Sequence, residues 1–136
     1  MDCKWLLPLL ALLLAACSST PEPAPPRQQS SAFEGFYQQW RGVPYRMGGS
    51  DRAGLDCSAF TQLAYQQVMG FNLPRTTESQ ANLGRPVDRY RLQHGDLVFF
   101  KTGWQQYHVG VYTGGGEFIH ASTSKGVIRS RLDNVY

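Results

Sequence analysis

Apolar side chains recur at three- or four-residue spacing in the first half of this chain and at two-residue spacing in the second half. The first stretch of helical spacing covers residues 31–42, where Ser31 and Glu34 fit a capping box and Gly42 fits a helix end. Aromatic residues dominate its apolar stripe, which is typical of a helix that packs on a core. A helix is therefore predicted here.

A second helix is predicted from residue 56 to residue 70, and a thiol lies in its first turn. Asp56 is a suitable N-cap and Gly70 a suitable stop, so Cys57 becomes the first helical residue. Unpaired amides and the positive end of the helix dipole both favour a thiolate, which is the nucleophilic form of cysteine. A lone cysteine is more often a small buried hydrophobe, so this stretch alone leaves a catalytic and a structural role open.

The spacing changes to that of strands after a short helix, for which Thr76 is the predicted N-cap and Glu78 to Leu83 the body. Val87 is predicted to open a short strand. Helices followed by strands with short turns predict an α+β fold with a mostly antiparallel sheet. Apolar or alternating runs predict four further strands, the first of them buried, at residues 97–100, 107–112, 117–121 and 127–132.

Three consecutive glycines separate two of these strands, and the length of this turn decides where two histidines lie. A three-residue loop pairs Thr113 with Glu117. It then puts His108 and His120 on one face of the sheet as diagonal neighbours. A two-residue loop would put them on opposite faces. The three-residue loop is thus the turn that brings the imidazoles together.

The length and composition fit one domain with an appendage. The chain has 136 residues, of which 42% are apolar and 12% aromatic, enough for a packed core. Its net charge is +3, and the densest basic group, Arg85 to Arg91, includes Asp88. Such a group indicates a solvated face, or one that suits an anionic polymer, more than a nucleic-acid interface. No nucleic-acid partner is therefore expected.

Residues 1–16 have the pattern of a bacterial lipoprotein signal peptide. Lys4 precedes an apolar run that is too short to span a bilayer as a stable helix. Residues 14–17, Leu-Ala-Ala-Cys, resemble a lipobox, which predicts lipidation of Cys17 and a membrane anchor. Ordinary secretion with cleavage near Ala16 is the alternative. Ser18 after the cysteine favours the outer membrane, with the protein facing the periplasm.

Residues 17–31 are rich in proline and polar side chains, so they cannot bury a core and are predicted to form an extended tether. Residues 32–136 are predicted to form the folded domain. Cys3 would leave with the signal peptide and Cys17 would be blocked by lipid. Cys57 is then the one free thiol, in an oxidising compartment, and such a thiol is either deeply buried or in use.

Cys57, His108 and His120 form a candidate catalytic group. A thiol at a helix N-terminus, an imidazole that takes its proton and a second polar group that orients the imidazole make a nucleophile, a base and an orienter. Each histidine alone is more often structural, and sequence order gives no distance between them. A metal site is a weaker alternative, because the sequence has no close ligand pair such as Cys-x-x-Cys. No metal or cofactor is predicted.

Seven short blocks follow one another in a characteristic order and spacing. They are Pro44-Tyr45, Gly48-Gly49, Asp56-Cys57-Ser58, Leu73-Pro74-Arg75-Thr76, Gly95 to Phe100, His108 to Tyr112 and Phe118 to Ser122. Together they resemble the NlpC family of bacterial cell-wall cysteine peptidases, and within it the Spr-like murein endopeptidase lipoproteins. The resemblance covers about residues 32–132.

This resemblance implies a papain-like fold, in which the helix that begins with the catalytic cysteine packs on a central antiparallel sheet. It also implies hydrolysis of amide bonds in the stem peptides or cross-links of peptidoglycan, without a cofactor. By position in the motifs, Cys57 is the nucleophile, His108 the general base and later the acid, and His120 the orienter.

Further site residues follow from the same motifs. Tyr45 takes the position of a tyrosine that lines the site and helps to stabilise the oxyanion. The backbone amides of Cys57 and Ser58 are the natural donors for that charge. Arg75 and Thr76 fall in a segment near the substrate groove, although a turn stabilised by Arg75 fits this segment equally well.

Two features depart from the family pattern. Ala59 stands where many relatives have glycine, and the sequence stops at Tyr136 where Spr-like relatives continue with an aromatic and basic tail.

Two alternatives to a peptidase also stay open. One is a catalytically silent lipoprotein that binds peptidoglycan on the same fold, and the other is an acyl or amide transferase that uses the same thioester.

Overall fold

The computed structural model describes Glu22 and residues 25–134. The helices are α1 (Pro26–Trp40), α2 (Cys57–Met69) and α3 (Thr77–Ala81), with 3-10 helices at Arg89–Arg91 and Leu132–Asn134. The strands are β1 (Ser50–Asp51), β2 (Gly54–Leu55), β3 (Leu97–Gly103), β4 (Gln106–Gly114), β5 (Glu117–Ser122) and β6 (Gly126–Arg131). β1 and β2 form a two-residue ribbon, and the main sheet has the order β3-β4-β5-β6 with every pair antiparallel. The predicted α+β fold with an antiparallel sheet is confirmed.

The core lies where α1 and α2 pack on the sheet. Phe60 and Ala64 are fully buried and Leu63 and Val68 partly buried, so the predicted apolar stripe of α2 is confirmed. Burial of each large apolar side chain contributes roughly 1.5–3 kcal/mol, and this core therefore holds the thiol helix on the sheet. The core residues are Phe33, Phe36, Tyr37, Leu55, Ala59, Phe60, Ala64, Val111, Ile119, Ala121 and Val127.

Helix α1 begins earlier than the sequence predicted. Pro25 is the N-cap and Pro26 the first helical residue, a position that suits the fixed φ angle of proline. Ser31 does not cap the helix, because its hydroxyl donates to the carbonyl of Gln28 at 2.9 Å within the helix. The predicted capping box at Ser31 and the extended conformation of residues 26–31 are therefore wrong.

The segment between α3 and the sheet also differs from the prediction. Helix α3 ends at Ala81 rather than at Leu83, and residues 85–88 form no strand. Instead, the Asp88 carboxylate accepts from the amide of Tyr90 at 2.8 Å and starts a 3-10 turn. The strand that was predicted to be buried, β3, lies at an edge of the sheet, and Val98 is its one buried residue.

The β4–β5 hairpin has a different turn from the predicted one but reaches the same register. Gly114 pairs with Glu117 across a two-residue turn, and an irregularity between Tyr112 and Gly114 shifts the pairing by one residue. Tyr112 then pairs with Phe118, as the three-residue loop would have required. The predicted turn length is wrong, because a bulge compensates for the shorter turn and keeps the two histidines on one face.

The predicted signal peptide, residues 1–16, and the predicted lipidation site Cys17 lie outside the described residues. The same holds for residues 18–21 at the start of the predicted tether. In the part of the chain that the structure describes, no helix has the length and apolar composition that crossing a bilayer requires.

Candidate active site

Cys57 is the first residue of α2, and Asp56 is its N-cap, as predicted. Asp56 Oδ1 accepts from the amide of Ala59 at 2.9 Å, and Oδ2 accepts from the amide of Gly48 at 3.0 Å. The carboxylate thus joins the thiol helix to the loop before β1 and satisfies an amide of the first turn. The Cys57 side chain is buried and forms no disulfide. Ala59, the departure from the family pattern, belongs to the buried core.

Arg75 makes a bidentate contact with the Asp56 carboxylate. Its Nη1 lies 2.9 Å from Asp56 Oδ1 and its Nη2 2.8 Å from Oδ2. Nη1 also donates to Ser58 Oγ at 2.8 Å, and Nη2 to the carbonyl of Gly49 at 3.4 Å. These contacts use the four Nη hydrogens, so Arg75 fixes the start of α2 within the protein. The structure supports the stabilised turn that the sequence left open for Arg75.

The charge of Asp56 depends on these contacts. Burial alone would raise the pKa of the Asp56 carboxyl, but hydrogen bonds from Arg75 and from two backbone amides outweigh it, and the pKa is lowered. The N-cap is therefore ionised at neutral pH. A charged carboxylate at this position stabilises the positive end of the helix on which the thiol lies.

Thr76 and Thr77 have different surroundings. Thr76 is exposed, and its Oγ1 accepts from the amide of Ser79 at 3.2 Å, so the predicted cap of α3 is confirmed. Thr77 is buried, and its Oγ1 lies 3.5 Å from Cys57 Sγ. No role was predicted for Thr77, because nothing in its motif shows that α3 turns this residue toward α2.

His108 and His120 form a hydrogen-bonded pair on neighbouring strands. His108 Nε2 lies 2.6 Å from His120 Nδ1, and the two rings are nearly perpendicular, at 82°. Both imidazoles are buried, with exposures of 7% and 8%. Burial lowers the pKa of His108, and burial together with the neighbouring His108 lowers the pKa of His120 to about 3. Both rings are therefore neutral at neutral pH.

Ser130 is a site residue that the sequence did not reveal. Its Oγ lies 2.8 Å from His120 Nε2, the ring nitrogen that His108 leaves free. Ser130 pairs with Phe118 and His120 with Ile128, so Ser130 and His120 are diagonal neighbours across β5 and β6. Residues in diagonal positions on neighbouring strands lie within reach of each other, as His108 and His120 do. A prediction of the β6 register would therefore have identified Ser130 as a neighbour of His120.

Gly110 leaves room for the imidazole pair. A Cβ at this position would lie 2.6 Å from Phe118 Cδ2, 2.9 Å from the carbonyl oxygen of Ile119 and 3.1 Å from His120 Cβ. The Phe118 ring in turn lies 4.6 Å from the His120 ring, measured between centroids. A side chain at residue 110 would therefore displace the strand that holds His120.

Tyr45 lies beside the start of the thiol helix, through an isolated bridge to Leu55. Its hydroxyl is 3.9 Å from Met47 Sδ. Burial raises the pKa of Tyr45, and the negative charges of ionised Cys57 and of Asp56 raise it further. The phenol is thus near enough to the thiolate to respond to its charge, which fits the predicted position at the site. Its part in stabilising an oxyanion stays a prediction.

The predicted residues thus form two groups, one around the thiol and one around the imidazoles. Helix α2 packs against β4 and β5, the strands that contain His108 and His120. Among the described residues, hydrogen bonds join Cys57 to Thr77 and His108 to His120, and none joins the thiol to a ring. Proton exchange between Cys57 and His108 therefore stays a prediction.

Among the described residues, neither a metal-binding cluster nor the cavity beside β3 involves the candidate catalytic residues. The described residues contain no group of three or more His, Cys, Asp or Glu side chains that could hold a metal ion. A cavity of about 880 Å³ lies between residues 80–92 and the edge strand β3, and its lining does not include Cys57, His108 or His120. This cavity is therefore separate from the thiol and the imidazole pair.

The fold and the site together define a class of protein. A helix that begins with a buried thiol, packed on an antiparallel sheet that holds a buried imidazole pair, is the arrangement of a papain-like cysteine peptidase. The chain belongs to the NlpC/P60 family, whose family model matches residues 42–136. The predicted family and enzyme class are confirmed.

Several relatives are similar over most of the chain. It is 47% identical to the probable endopeptidase NlpC of Escherichia coli strain K12, over 96% of this chain and 90% of that protein. It is also 47% identical to the murein DD-endopeptidase MepS/murein LD-carboxypeptidase of the same strain, over 74% of this chain and only 53% of that protein. Among solved structures, the NlpC/p60 domain of the peptidoglycan hydrolase SagA has a TM-score of 0.68 and 32% identity, over 76% of this chain and 90% of that domain.

Proposed function

We propose that this chain is a peptidoglycan endopeptidase that hydrolyses amide bonds of stem peptides or cross-links through an acyl-enzyme on Cys57. The relatives described above support the substrate class, since they include murein endopeptidases at 47% identity. The observation on which the proposal depends most is the position of Cys57 at the capped start of α2, against the strands of the two histidines. At this position the cysteine is suited to act as a nucleophile, and the backbone amides at the start of the helix are available as hydrogen-bond donors.

The imidazole pair gives the proposed proton path a direction. His108 Nε2 is occupied by His120, so Nδ1 is the ring nitrogen that can accept the thiol proton. The Nε2 hydrogen of His108 then donates to His120 Nδ1, and the Nε2 hydrogen of His120 donates to Ser130 Oγ. This order of donors orients His108 before and after it gains a proton, because His120 stays neutral at a pKa of about 3.

The proposed reaction has two halves. The Cys57 thiolate attacks the carbonyl carbon of the amide, and the tetrahedral intermediate collapses when the C–N bond breaks and His108 gives its proton to the leaving amine. Water then attacks the thioester while His108 takes a proton from it. The second intermediate releases the carboxylic acid product, and the sulfur leaves as the thiolate that began the cycle.

In both halves of the reaction, negative charge develops on the carbonyl oxygen of the substrate and needs hydrogen-bond donors to stabilise it. The amides of Cys57 and Ser58 are the proposed donors, since the first amides of a helix have no carbonyl partner within it and Asp56 accepts from the amide of Ala59 instead. One such donor is commonly worth about 3 kcal/mol in the transition state. The Tyr45 hydroxyl is the proposed third donor.

We also propose that the protein is attached to the outer membrane, facing the periplasm, through lipid on Cys17. The lipobox at residues 14–17 and the polar, proline-rich segment after it support this placement. In a bacterium fed an alkyne-labelled fatty acid, the full chain is expected to acquire the label and to fractionate with outer membranes. Cys17→Ala should lose both properties, and retention of the label by that variant would contradict the proposal.

The catalytic proposal is tested with soluble, cross-linked muropeptides, prepared from purified peptidoglycan with a muramidase, and with mass analysis of the products. Wild type is expected to release muropeptides that differ from the substrate by one water per cut, and Cys57→Ala to release none. Binding of wild type without release would support a silent peptidoglycan-binding protein. Products joined to an added amine would support a transferase. Unchanged release by Cys57→Ala would show that the thiol is not the nucleophile.

A further inference from the structure

We propose that Thr77 is a positioning residue for the nucleophile: its hydroxyl donates to the Cys57 sulfur and fixes the direction in which the sulfur points. Thr77 Oγ1 lies 3.5 Å from Cys57 Sγ, and each residue is only 7% exposed. A buried polar or charged atom without a hydrogen-bond partner is costly, so this contact matters more than the same contact at the surface would. The catalytic meaning of this inference rests on the function proposed above.

The hydroxyl is held in place by the way α3 docks on α2. Thr77 and Gln80 are three residues apart in α3, so they lie on one face, and both are buried. Gln80 Nε2 donates to the carbonyl of Ser58 at 3.0 Å and to that of Pro74 at 2.8 Å. Gln80 Oε1 accepts from the Thr61 hydroxyl at 2.7 Å. Helix α3 therefore cannot shift along α2 without breaking these bonds, and Thr77 Oγ1 keeps its place at the sulfur.

The contact suits the thiolate better than the thiol. While the sulfur carries a hydrogen, either atom can be the donor. Once the proton has moved to His108, only the Thr77 hydroxyl can donate, and a bond to a charged acceptor is stronger than one to a neutral acceptor. Removal of the hydroxyl should therefore make the nucleophile harder to form while the substrate-binding surface stays the same.

Other charged groups near the sulfur stay in place when Thr77 is changed. Asp56 and Arg75 form an ion pair at the start of α2, and Tyr45 approaches from the loop before β1. His108 faces the thiol helix from β4 in the proposed mechanism. Because none of these groups is hydrogen-bonded to Thr77, a change in the titration of the thiol reports the loss of the hydroxyl.

The decisive measurement is the pH dependence of Cys57 alkylation by iodoacetamide, followed by mass spectrometry of the Cys57 peptide in the detergent-solubilised full chain. Thr77→Val keeps the shape of the side chain and should move the midpoint up by about one pH unit, or about 1.4 kcal/mol. Thr77→Ser keeps the hydroxyl and should stay near wild type. In muropeptide release, Thr77→Val should lower kcat about tenfold near pH 7 with little change in KM, and the loss should shrink at higher pH.

Two controls separate the hydroxyl from packing. Thr61→Val removes the hydroxyl that donates to Gln80 Oε1, so it weakens the docking of α3 on α2 but leaves the Thr77 hydroxyl in the protein, and its alkylation midpoint should move less than that of Thr77→Val. Thr77→Ala and Thr77→Ser lack the same methyl and differ only in the hydroxyl, so their comparison stands even where Thr77→Val does not fold. Equal midpoints for these two variants, or a shift in Thr61→Val as large as that in Thr77→Val, would overturn the inference.

Alkylation needs no peptidoglycan, so this inference and the proposed function can fail separately. If wild type releases no muropeptides, the proposed function fails, whereas the alkylation profiles still decide the role of the Thr77 hydroxyl. If wild type releases muropeptides and the Thr77→Val profile matches that of wild type, the inference alone fails.

Discussion

His120 Nε2 lies 2.8 Å from Ser130 Oγ, so the imidazole that contacts His108 is itself held by a hydroxyl on the next strand. The proton path proposed above assigns the tautomer of His120 at this contact, since a hydroxyl can either donate or accept. With the Nε2 hydrogen of His120 directed at Ser130, Nδ1 has no hydrogen and can accept from His108. Ser130 therefore helps to orient His108 indirectly, through its hydrogen bond to the imidazole ring of His120.

Ser130→Ala is expected to lower kcat several-fold and to leave KM nearly unchanged, because the change loosens His120 without altering the surface around the thiol. Ser130→Thr keeps the hydroxyl and should recover most of the rate. Steady-state kinetics on a defined muropeptide give both constants. A fall in kcat that is the same for Ala and Thr would show that packing at residue 130 matters and the hydroxyl does not.

Arg75→Lys is expected to destabilise the start of the thiol helix, because lysine has one charged nitrogen where arginine has a fork that matches both oxygens of Asp56. We expect the free energy of unfolding to fall by about 1 kcal/mol, a value reduced for the 41% exposure of the Arg75 side chain. Muropeptide release should fall as well, because the cap positions Cys57. Urea denaturation followed by circular dichroism measures the first effect.

The chain contains a matched control for this experiment. Arg131 contacts both oxygens of Asp133 in the same two-pronged way, at 3.0 and 3.1 Å, but this pair is exposed and distant from the thiol in sequence. Exposed ion pairs add little to stability. Arg131→Lys should therefore match wild type in both assays, and an equal loss in the two variants would contradict a special role for Arg75.

The sequence was sufficient for the local features of the thiol helix. Asp56, Cys57 and Gly70 have the conformations that capping rules assign to them, because such caps involve only neighbours within a few residues. The register of the two histidines was also predictable, since a buried sheet face specifies pairing strongly. Its turn was not, because a bulge and a shorter loop compensate for each other.

Contacts between distant segments could not be predicted in the same way. Thr77 reaches Cys57 across 20 positions, and Arg75 reaches Asp56 across 19. No periodicity in the sequence encodes how α3 docks on α2. The start of α1 was missed for a local reason, because proline suits both an extended tether and the first turn of a helix.

Stability should depend on pH through the two buried histidines. Burial lowers the pKa of His108, and it lowers the pKa of His120 to about 3, so the folded chain binds fewer protons than the unfolded chain below about pH 6.5. Their contribution to stability is therefore complete above about pH 6.5 and is lost as the pH falls toward 3. Between pH 6.5 and 5, His120 alone should account for about 2 kcal/mol of this loss.

Urea denaturation at several values between pH 5 and 7.5 tests this dependence, in a range where most carboxyl groups are ionised in both states. His120→Gln removes one titrating group and keeps a donor and an acceptor, so its stability should change less with pH than that of wild type. An equally steep profile in His120→Gln would show that the dependence arises elsewhere in the protein.

Gly110→Ala should damage the site more than its size suggests. The new Cβ would lie 2.9 Å from the carbonyl oxygen of Ile119, and a backbone atom cannot rotate away as a side chain can. We expect a loss of about 1–3 kcal/mol in the free energy of unfolding, the usual cost of overpacking, together with a large loss of activity as His120 is displaced.

Gly35→Ala is the matched control for crowding at residue 110. Residue 35 lies within α1, and apart from its own helix no atom comes within 4 Å of the position that a Cβ would take. Alanine should therefore stabilise this helix by about 0.5–1 kcal/mol, because it loses less backbone entropy on folding than glycine does. Thermal unfolding should show that Gly35→Ala raises the stability and that Gly110→Ala lowers it. Equal stabilities of the two variants would refute the crowding described at Gly110.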